Sequence, residues 1–440
     1  MGIKSKSRRA VVVGCGKLGT PLVACLAEAG HEVTGIDLNS TLIASLSKFE
    51  ISWNEPGLQE LLRTSKSRVS FQNDFNGGFR GSDITFIIVP TPSLSDGNFS
   101  NEYVLSAVKA IATELSAEKI SEHLIVIVST VMPGSTSGII KETLEKNLTV
   151  KNHQIRLAYS PEFIALGSVI KNMHYPDLVL IGESNPGDGE LLQEVSLSIA
   201  KNDPKVFTLT TEEAEIAKIA INSFVTTKIS FSNQISEICE KTPGASASKV
   251  LKAIGTDTRI GNSYLTAATA YGGPCFPRDN RAFAKYASDL GYKADLALAT
   301  DSINMRQTER LISNVKALVH PSKSICVVGL SYKPDTEVIE ESPSIQFIEL
   351  AIKAGFKVSA VDNNVRQLKD FPDLTIDSVS SLGSKLEDYD AFIVFVPSKE
   401  YSSIPNDISR SKTIIDLWGI WSEFQVDFGK NYIRLGNYHG

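Results

Sequence analysis

Two doubly wound, Rossmann-like α/β domains joined by a central helical domain built on one long helix are the fold class this sequence predicts. Three observations carry it. Short apolar, strand-like runs alternate with helical stretches through roughly the first 200 residues. From Thr210 the apolar spacing turns helical and stays so. After the break at Pro321-Ser322 a second strand-loop-helix begins. The expected divisions are therefore 1–209, 210–319 and 320–440.

Arg9 to Val13 reads as a buried strand, followed by Gly14-Cys15-Gly16-Lys17-Leu18-Gly19, an amphipathic helix to Ala29 with Gly30 as its stop, and a strand from Glu32 to Asp37. This is a βαβ unit. Further strands are expected at Asp83 to Val89, Leu124 to Ser129 and Arg156 to Tyr159, giving a parallel sheet. Val89-Pro90-Thr91-Pro92 should form a rigid loop at its carboxyl edge, placing Pro90 and Thr91 beside a cofactor. Thr210 with Glu213 reads as a capping box, and Ile216, Ile219, Ala220 and Phe224 continue an apolar stripe to about Ile238. That long helix ends near Thr242-Pro243-Gly244, a natural hinge between two lobes. More helix is expected from Ser248 to about Val319. Strands at Ser324 to Leu330, Lys357 to Val361, Ala391 to Val396 and Thr413 to Asp416 make a second, smaller α/β domain. The two α/β halves echo each other in plan without a residue-level repeat.

At 440 residues the chain needs two or three cores. With 42% hydrophobic and 21% charged residues it has a globular composition, and no apolar run approaches the ~20 residues of a membrane span. Lys4, Lys6, Arg8 and Arg9 near the start read as a solvated tail and not as a secretory leader. A net charge of −6 with dispersed Lys and Arg argues against nucleic acid as a partner. The five cysteines are scattered, with no CxxC pair, so neither disulfides nor a metal site is expected, and a cytoplasmic location is. Cys15, Cys25, Cys239 and Cys326 lie in apolar surroundings and read as core thiols; Cys275 does not.

The glycine loop is a dinucleotide-binding sequence. Gly14 makes the tight turn, Gly16 lets the backbone approach a pyrophosphate, and Gly19 lets helix and strand pack closely, with Lys17 and Leu18 between them at the helix start. Asp37 closes the next strand, where an acid accepts hydrogen bonds from ribose hydroxyls and disfavours a 2′-phosphate, so the cofactor expected is NAD.

In Tyr271-Gly272-Gly273-Pro274-Cys275-Phe276-Pro277-Arg278-Asp279 one thiol stands among residues that forbid regular structure and admit a ligand closely. Asp279 opens a helix four residues later, and Arg278 and Arg281 would favour a thiolate. This stretch resembles the GFGGxCFPKD signature of the UDP-glucose/GDP-mannose dehydrogenase family, with Ala270, Tyr271 and Arg278 departing from it. The resemblance covers nearly the whole chain through Glu55-Pro56-Gly57-Leu58, Ser129-Thr130-Val131, Ser160-Pro161-Glu162-Phe163, Lys218 with Asn222, Arg259-Ile260-Gly261 and Gly329-Leu330-Ser331-Tyr332-Lys333-Pro334.

The resemblance implies NAD-dependent, four-electron oxidation of a nucleotide sugar, with a UDP-hexose such as UDP-glucose favoured. The C6 alcohol becomes a uronic acid through a thiohemiacetal and thioester on Cys275. Lys218 and Asn222, an i,i+4 pair on one helix face, would deprotonate the alcohol and stabilise the oxyanion. Glu162 and Asp279, with Thr130 holding a water beside the cofactor, would do the remaining acid-base work. Phe163, Arg259, Tyr264, Gly272 and Lys333 would contact substrate, Arg259 in some members across a dimer interface. A homodimer is implied, the long helix carrying more apolar positions than one lobe should cover.

Three departures bear on substrate. Leu166 stands where many members carry a second glutamate, Glu340 where an arginine is usual, and Trp418 in Asp416-Leu417-Trp418-Gly419 where Arg-Asn is usual. A carboxylate beside a diphosphate is repulsive. UDP-N-acetylhexosamines stay open as substrates. A two-electron β-hydroxyacid dehydrogenase, needing no cysteine, and a catalytically silent sugar-nucleotide binder are the competing expectations.

Overall fold

The structure is a computed structural model that describes residues 6–150 and 153–438; the basic-tail expectation falls in part on Met1–Ser5, outside the described residues. The chain forms two compact units, Met1–Ile219 and Ala220–Gly440.

The first unit is built on eight strands: β1 (Arg9–Val13), β2 (Glu32–Ile36), β3 (Val69–Gln72), β4 (Ile84–Ile87), β5 (Glu122–Ile127), β6 (Gln154–Tyr159), β7 (Leu178–Glu183) and β8 (Lys205–Thr210). Their order is β3-β2-β1-β4-β5-β6-β7-β8. Neighbours among β1 to β6 are parallel, as expected, while β7 runs antiparallel to β6 and parallel to β8. The β6–β7 link carries only the short helix Val169–His174 and returns to the end of the sheet where β6 stopped, so no crossover is made.

Both faces of this sheet are covered at its centre, which is why β1, β4 and β5 are continuous buried runs and not alternating ones. On one face Val12, Phe86 and Val126 pack with Val23 and Leu26 of helix Gly19–Glu28. On the other, Val11, Val13, Ile87 and Ile125 pack with Val108, Ile111 and Leu115 of helix Glu102–Ala117. Each such fully buried side chain contributes about 1.5–3 kcal/mol. The core thereby fixes the carboxyl ends of β1, β4, β5 and β6, and the glycine loop, the Pro90 loop, the Thr130 loop and the Glu162 loop all leave from those ends.

The helix Thr211–Glu240 starts in the first unit and continues into the second. Its capping box forms in both directions: the Glu213 amide donates to the Thr210 hydroxyl at 3.2 Å, and the Thr210 amide donates to the Glu213 carboxylate at 2.9 Å. Helices Ala247–Gly255, Phe276–Asp289 and Asp295–Leu318 follow. The expected helical run from Ser248 is thus broken over 256–275, where two buried asparagines take over the backbone. Asn233 accepts from the Ala268 amide and donates to the Thr269 carbonyl; Asn304 does the same for both backbone groups of Tyr271.

The second sheet has strands β9 (Ser324–Val328), β10 (Lys357–Val361), β11 (Thr375–Asp377), β12 (Ala391–Val394), β13 (Thr413–Asp416) and β14 (Tyr432–Arg434). All pairs are parallel, in the order β11-β10-β9-β12-β13-β14. Phe347 and Ile348 of helix Pro343–Lys353, with Leu311 and Val315 of helix Asp295–Leu318, fill its core.

Candidate active site

Gly14 holds φ +98°, and a Cβ there would meet the Ile88 carbonyl oxygen at 2.5 Å; a Cβ on Gly19 would meet the Gly14 oxygen at 1.7 Å. Gly16 is exposed and faces open space, with no atom beyond its chain neighbours within 4 Å of where a Cβ would stand. Two glycines are therefore required by the protein's own packing, and the third leaves room for another molecule. Helix Gly19–Glu28 starts at once, so its free amides and positive dipole end face that room, with Lys17 and Leu18 half-buried at its start. The Asp37 carboxylate accepts from the Cys15 amide at 2.8 Å and the Asn39 amide at 2.9 Å. It stays half-buried, and each oxygen has a second lone pair for a ribose hydroxyl. These residues fit NAD.

Pro90 is exposed near the start of the loop after β4, and the Thr91 hydroxyl donates to the Thr130 carbonyl at 2.7 Å. The Ser129 hydroxyl donates to the Val89 carbonyl at 2.7 Å, so the two loops are tied together. Beyond Thr130, the buried Glu215 carboxylate accepts from the Gly134 and Thr136 amides at 2.6 and 2.9 Å.

Lys218, itself buried, donates through Nζ to the Glu162 carbonyl at 2.7 Å and lies 4.7 Å from the centre of the Phe163 ring. Part of Glu162 remains accessible, yet its carboxyl is enclosed by enough neighbouring atoms for desolvation to dominate. Burial pushes it up to about 7 against the opposing pull of the Lys218 ammonium. Glu55 anchors the same loop further along, accepting from the Gly167 and Val169 amides at 2.9 and 2.7 Å. Leu166 packs beside the apolar core of this unit.

In the second unit Cys275 is the helix N-cap of Phe276–Asp289 and is exposed, whereas Cys15, Cys25, Cys239 and Cys326 are buried. The Asp279 amide donates to the Cys275 carbonyl at 2.8 Å. Asp279 is fully buried with both carboxylate oxygens engaged: Arg278 Nε donates to Oδ1 at 3.0 Å and Asn222 Nδ2 to Oδ2 at 2.6 Å. Arg281 pairs with Glu341 at 3.0 Å and Asp301 at 3.4 Å. Lys218 and Asn222 lie one turn apart on Thr211–Glu240.

Gly272 and Gly273 admit a neighbouring strand of chain that side chains would exclude. A Cβ on Gly272 would meet the Glu341 carbonyl at 2.2 Å, and one on Gly273 (φ +83°) the Tyr332 ring at 2.5 Å. The Gly273 amide donates to the Glu340 carbonyl at 3.1 Å, while the Glu340 residue is exposed. Lys333 Nζ stands 6.0 Å from the Tyr332 ring centre. Tyr264, at φ +60°, packs edge-on to Phe276 with ring centres 5.9 Å apart. Arg259 is not drawn to these groups: its side chain is 86% exposed and folds back on Asp257 at 2.6 Å. Trp418 donates through Nε1 to the Phe395 carbonyl at 2.7 Å, making it part of the loop after β13.

Four residues that sequence reasoning did not single out for a role now stand beside the candidates: Glu215, Glu55, Tyr332 and Asn304. Glu55 and Tyr332 sit inside the motifs quoted above, but their partners lie more than 50 residues away in sequence, and no local signal marks them. Among the described residues no helix is long and apolar enough to cross a membrane, and no cluster of His, Cys, Asp and Glu could hold a metal ion.

Residues 8–199 match the NAD binding domain model of the UDP-glucose/GDP-mannose dehydrogenase family, 212–306 its central domain and 326–423 its UDP binding domain. The chain is 33% identical to a Haloferax volcanii protein named UDP-glucose 6-dehydrogenase AglM, over 92% of this chain and 95% of that one. It is 29% identical to a GDP-mannose 6-dehydrogenase of Pseudomonas savastanoi pv. phaseolicola, over 96% and 98%. A solved UDP-glucose dehydrogenase from Pyrobaculum islandicum superposes with a TM-score of 0.88 at 26% identity, covering 99% of this chain and 98% of that one.

Proposed function

The chain belongs to the UDP-glucose/GDP-mannose dehydrogenase family of NAD-dependent oxidoreductases, and from that membership we propose that it oxidises the C6 alcohol of a UDP-hexose to the uronic acid through a covalent bond to Cys275. One observation carries the cysteine chemistry: of the five thiols, Cys275 alone is exposed, at a helix N-terminus that favours negative charge, behind two glycines. The likeness to the Haloferax and Pyrobaculum proteins, both named UDP-glucose dehydrogenases, supports a UDP-glucose-like substrate.

Bound NAD supplies the hydride acceptor, two molecules being used for each alcohol taken to the acid. Lys218 takes part in removing the alcohol proton and, when charged, stabilises the oxyanion; Asn222 offers its amide to the same oxygen. The Cys275 sulfur adds to the aldehyde carbon, and oxidation of that thiohemiacetal leaves a thioester. Water then breaks the carbon–sulfur bond, releasing carboxylate and thiol. Glu162, held near neutrality, suits proton transfer to or from that water, with Thr130 as its holder. Asp279, with one oxygen on Asn222, suits orientation of the amide as well as acid-base work. Phe163, Tyr264, Gly272, Lys333 and Arg259 are assigned to substrate, and Gly14, Gly16, Lys17, Leu18, Gly19, Asp37, Pro90, Thr91 and Thr130 to the cofactor.

A second substrate class, the UDP-N-acetylhexosamines, is favoured by Leu166, which replaces a usual acid and packs against apolar core. The three-part division at 209/210 and 319/320 is supported by the limits of the family matches. A homodimer is supported by Phe224, Phe231 and Ile238, exposed at intervals of seven on the long helix; light scattering tests it. We assign the protein to the cytoplasm on its scattered, unpaired cysteines.

NADH counting over a panel of UDP-glucose, UDP-N-acetylhexosamines and GDP-mannose tests the reaction. Two NADH per sugar nucleotide, and loss of acid formation in Cys275→Ser, are expected. One NADH, or full activity in Cys275→Ser, overturns the four-electron reading.

A further inference from the structure

We infer that Glu215 is a positioning residue that fastens the Thr130 loop to the helix carrying Lys218, so that the two groups are placed as one unit. The inference rests on the reading of Thr130 and Lys218 given above. Glu215 lies three residues before Lys218, on the same helix. It is completely buried, and its two oxygens accept from different amides of one segment, Gly134 at 2.6 Å and Thr136 at 2.9 Å. That segment leaves β5 through Thr130, whose carbonyl is held from the other side by the Thr91 hydroxyl at 2.7 Å. Outside it, Glu212 accepts from the Ser137 hydroxyl at 2.5 Å, adding a second tie between the same helix and the same loop.

Glu215 is not a reacting group, because both oxygens are committed to backbone amides and neither reaches solvent. Nor is it a cheap structural choice. A buried, ionised carboxylate carries a desolvation cost that an apolar side chain would avoid. Burial does push this acid up to about 7, only partly offset by the Thr136 and Gly134 donors. What a carboxylate gives, and an apolar residue cannot, is two diverging acceptors that fix where Gly134 and Thr136, and hence Thr130, sit relative to the helix.

Steady-state kinetics on the full chain with an active sugar nucleotide tests this through a double-mutant cycle. In Glu215→Gln the amide NH₂ faces one of the two backbone donors, so one tie is lost; kcat should fall about tenfold while KM for NAD changes by no more than about threefold. Because Glu215 acts through Thr130, Thr130→Ala with Glu215→Gln should be no slower than Thr130→Ala alone. Amide exchange at Gly134 and Thr136 should quicken about tenfold, while Gly167 and Val169, held by Glu55, keep their rates. If Glu215→Gln does not fold, Glu215→Asp, which keeps the charge but shortens the reach, serves in the same cycle. Full activity in Thr130→Ala would remove the catalytic reading of Thr130 itself. Impaired Thr130→Ala whose loss multiplies with that of Glu215→Gln would overturn the positioning role alone.

Discussion

The loops that follow β1 and β9 begin with the same device and finish differently. In each, a left-handed glycine donates to the last carbonyl of the neighbouring strand, Gly14 to Ile36 at 2.8 Å and Gly329 to Val361 at 2.9 Å. The next amide donates to an aspartate closing that strand, Cys15 to Asp37 and Leu330 to Asp362, both at 2.8 Å. After the first turn, Gly16 leaves open space and the helix starts at Gly19. After the second, 331–342 intervenes before helix Pro343–Lys353, and the Ser342 and Ser344 hydroxyls both close on the Leu330 carbonyl at 2.8 Å. Asp37 stays half-buried. Asp362 is 1% exposed and also holds the Asn364 and Val365 amides. The shared turn is therefore a way to end a strand; access to the aspartate and an immediate helix end make one copy a dinucleotide site. The echo in plan extends to backbone bonding at residues that a repeat search misses.

The shared part should fail alike in both copies. Gly14→Ala and Gly329→Ala each place a Cβ in left-handed backbone and within 2.5 Å of a neighbour, Ile88 in one and Val396 in the other. Each should lose about 3 kcal/mol by denaturant unfolding, strain and overpacking adding. Loss at Gly14 alone would mean the second turn is not built under the same constraint. The aspartates should then part company. Asp362→Ala strands three backbone amides, those of Leu330 and Val365 buried, and should cost about 2 kcal/mol while leaving KM for NAD within about twofold. Asp37→Ala should raise KM for NAD about tenfold with a smaller loss of stability. A shift in KM for NAD on changing Asp362 would break the distinction.

What was legible in the sequence was what neighbours in sequence decide. The βαβ unit, the Asp37 position, the two-way capping box of Thr210 and Glu213 and the exposed Cys275 all depend on residues a few positions apart or on apolar period. The edge strands β3 and β8, half exposed, lack the buried runs that revealed β1, β4 and β5. β7 was not expected although its run is apolar, and its reversal follows from how its link returns, which periodicity does not encode. Glu55 and Glu215 bond amides 112 and 81 residues away, so each looks like any first-turn or helix acid until the fold closes. The break in helix over 256–275 came from Asn233 and Asn304, whose partners are 33 to 36 residues off.

Burial raises Glu162 and Glu215 of the first unit to near neutrality, which gives opposite trends for stability and activity. Glu162 and Glu215 are raised by burial from 4.5 to about 7. For an acid raised in the folded state, the neutral form is the favoured one, so the stabilisation is full below about 4.5 and fades as pH rises through about 7. The denaturant midpoint should therefore be higher at pH 5 than at pH 8 as far as these groups act, and Glu162→Gln should flatten the slope. With ionised Glu162 as the proposed proton acceptor, kcat/KM should fall about tenfold per pH unit well below 7. Stability and activity rising together from pH 5 to pH 8 would count against both assignments.

The smallest effect is the most discriminating, because it separates the one glycine that serves a ligand from those that serve the fold. Beyond its chain neighbours no protein atom lies within 4 Å of where a Gly16 Cβ would stand, and its φ is not in the left-handed region, so Gly16→Ala should leave unfolding free energy within about 0.5 kcal/mol of the parent. The added methyl instead enters the space between the helix start and a pyrophosphate, and KM for NAD should rise several-fold, on the order of 1 kcal/mol, with kcat little changed. An unchanged KM for NAD would mean that the open side of the loop does not face the cofactor, leaving the turn after β1 as closed in function as the one after β9.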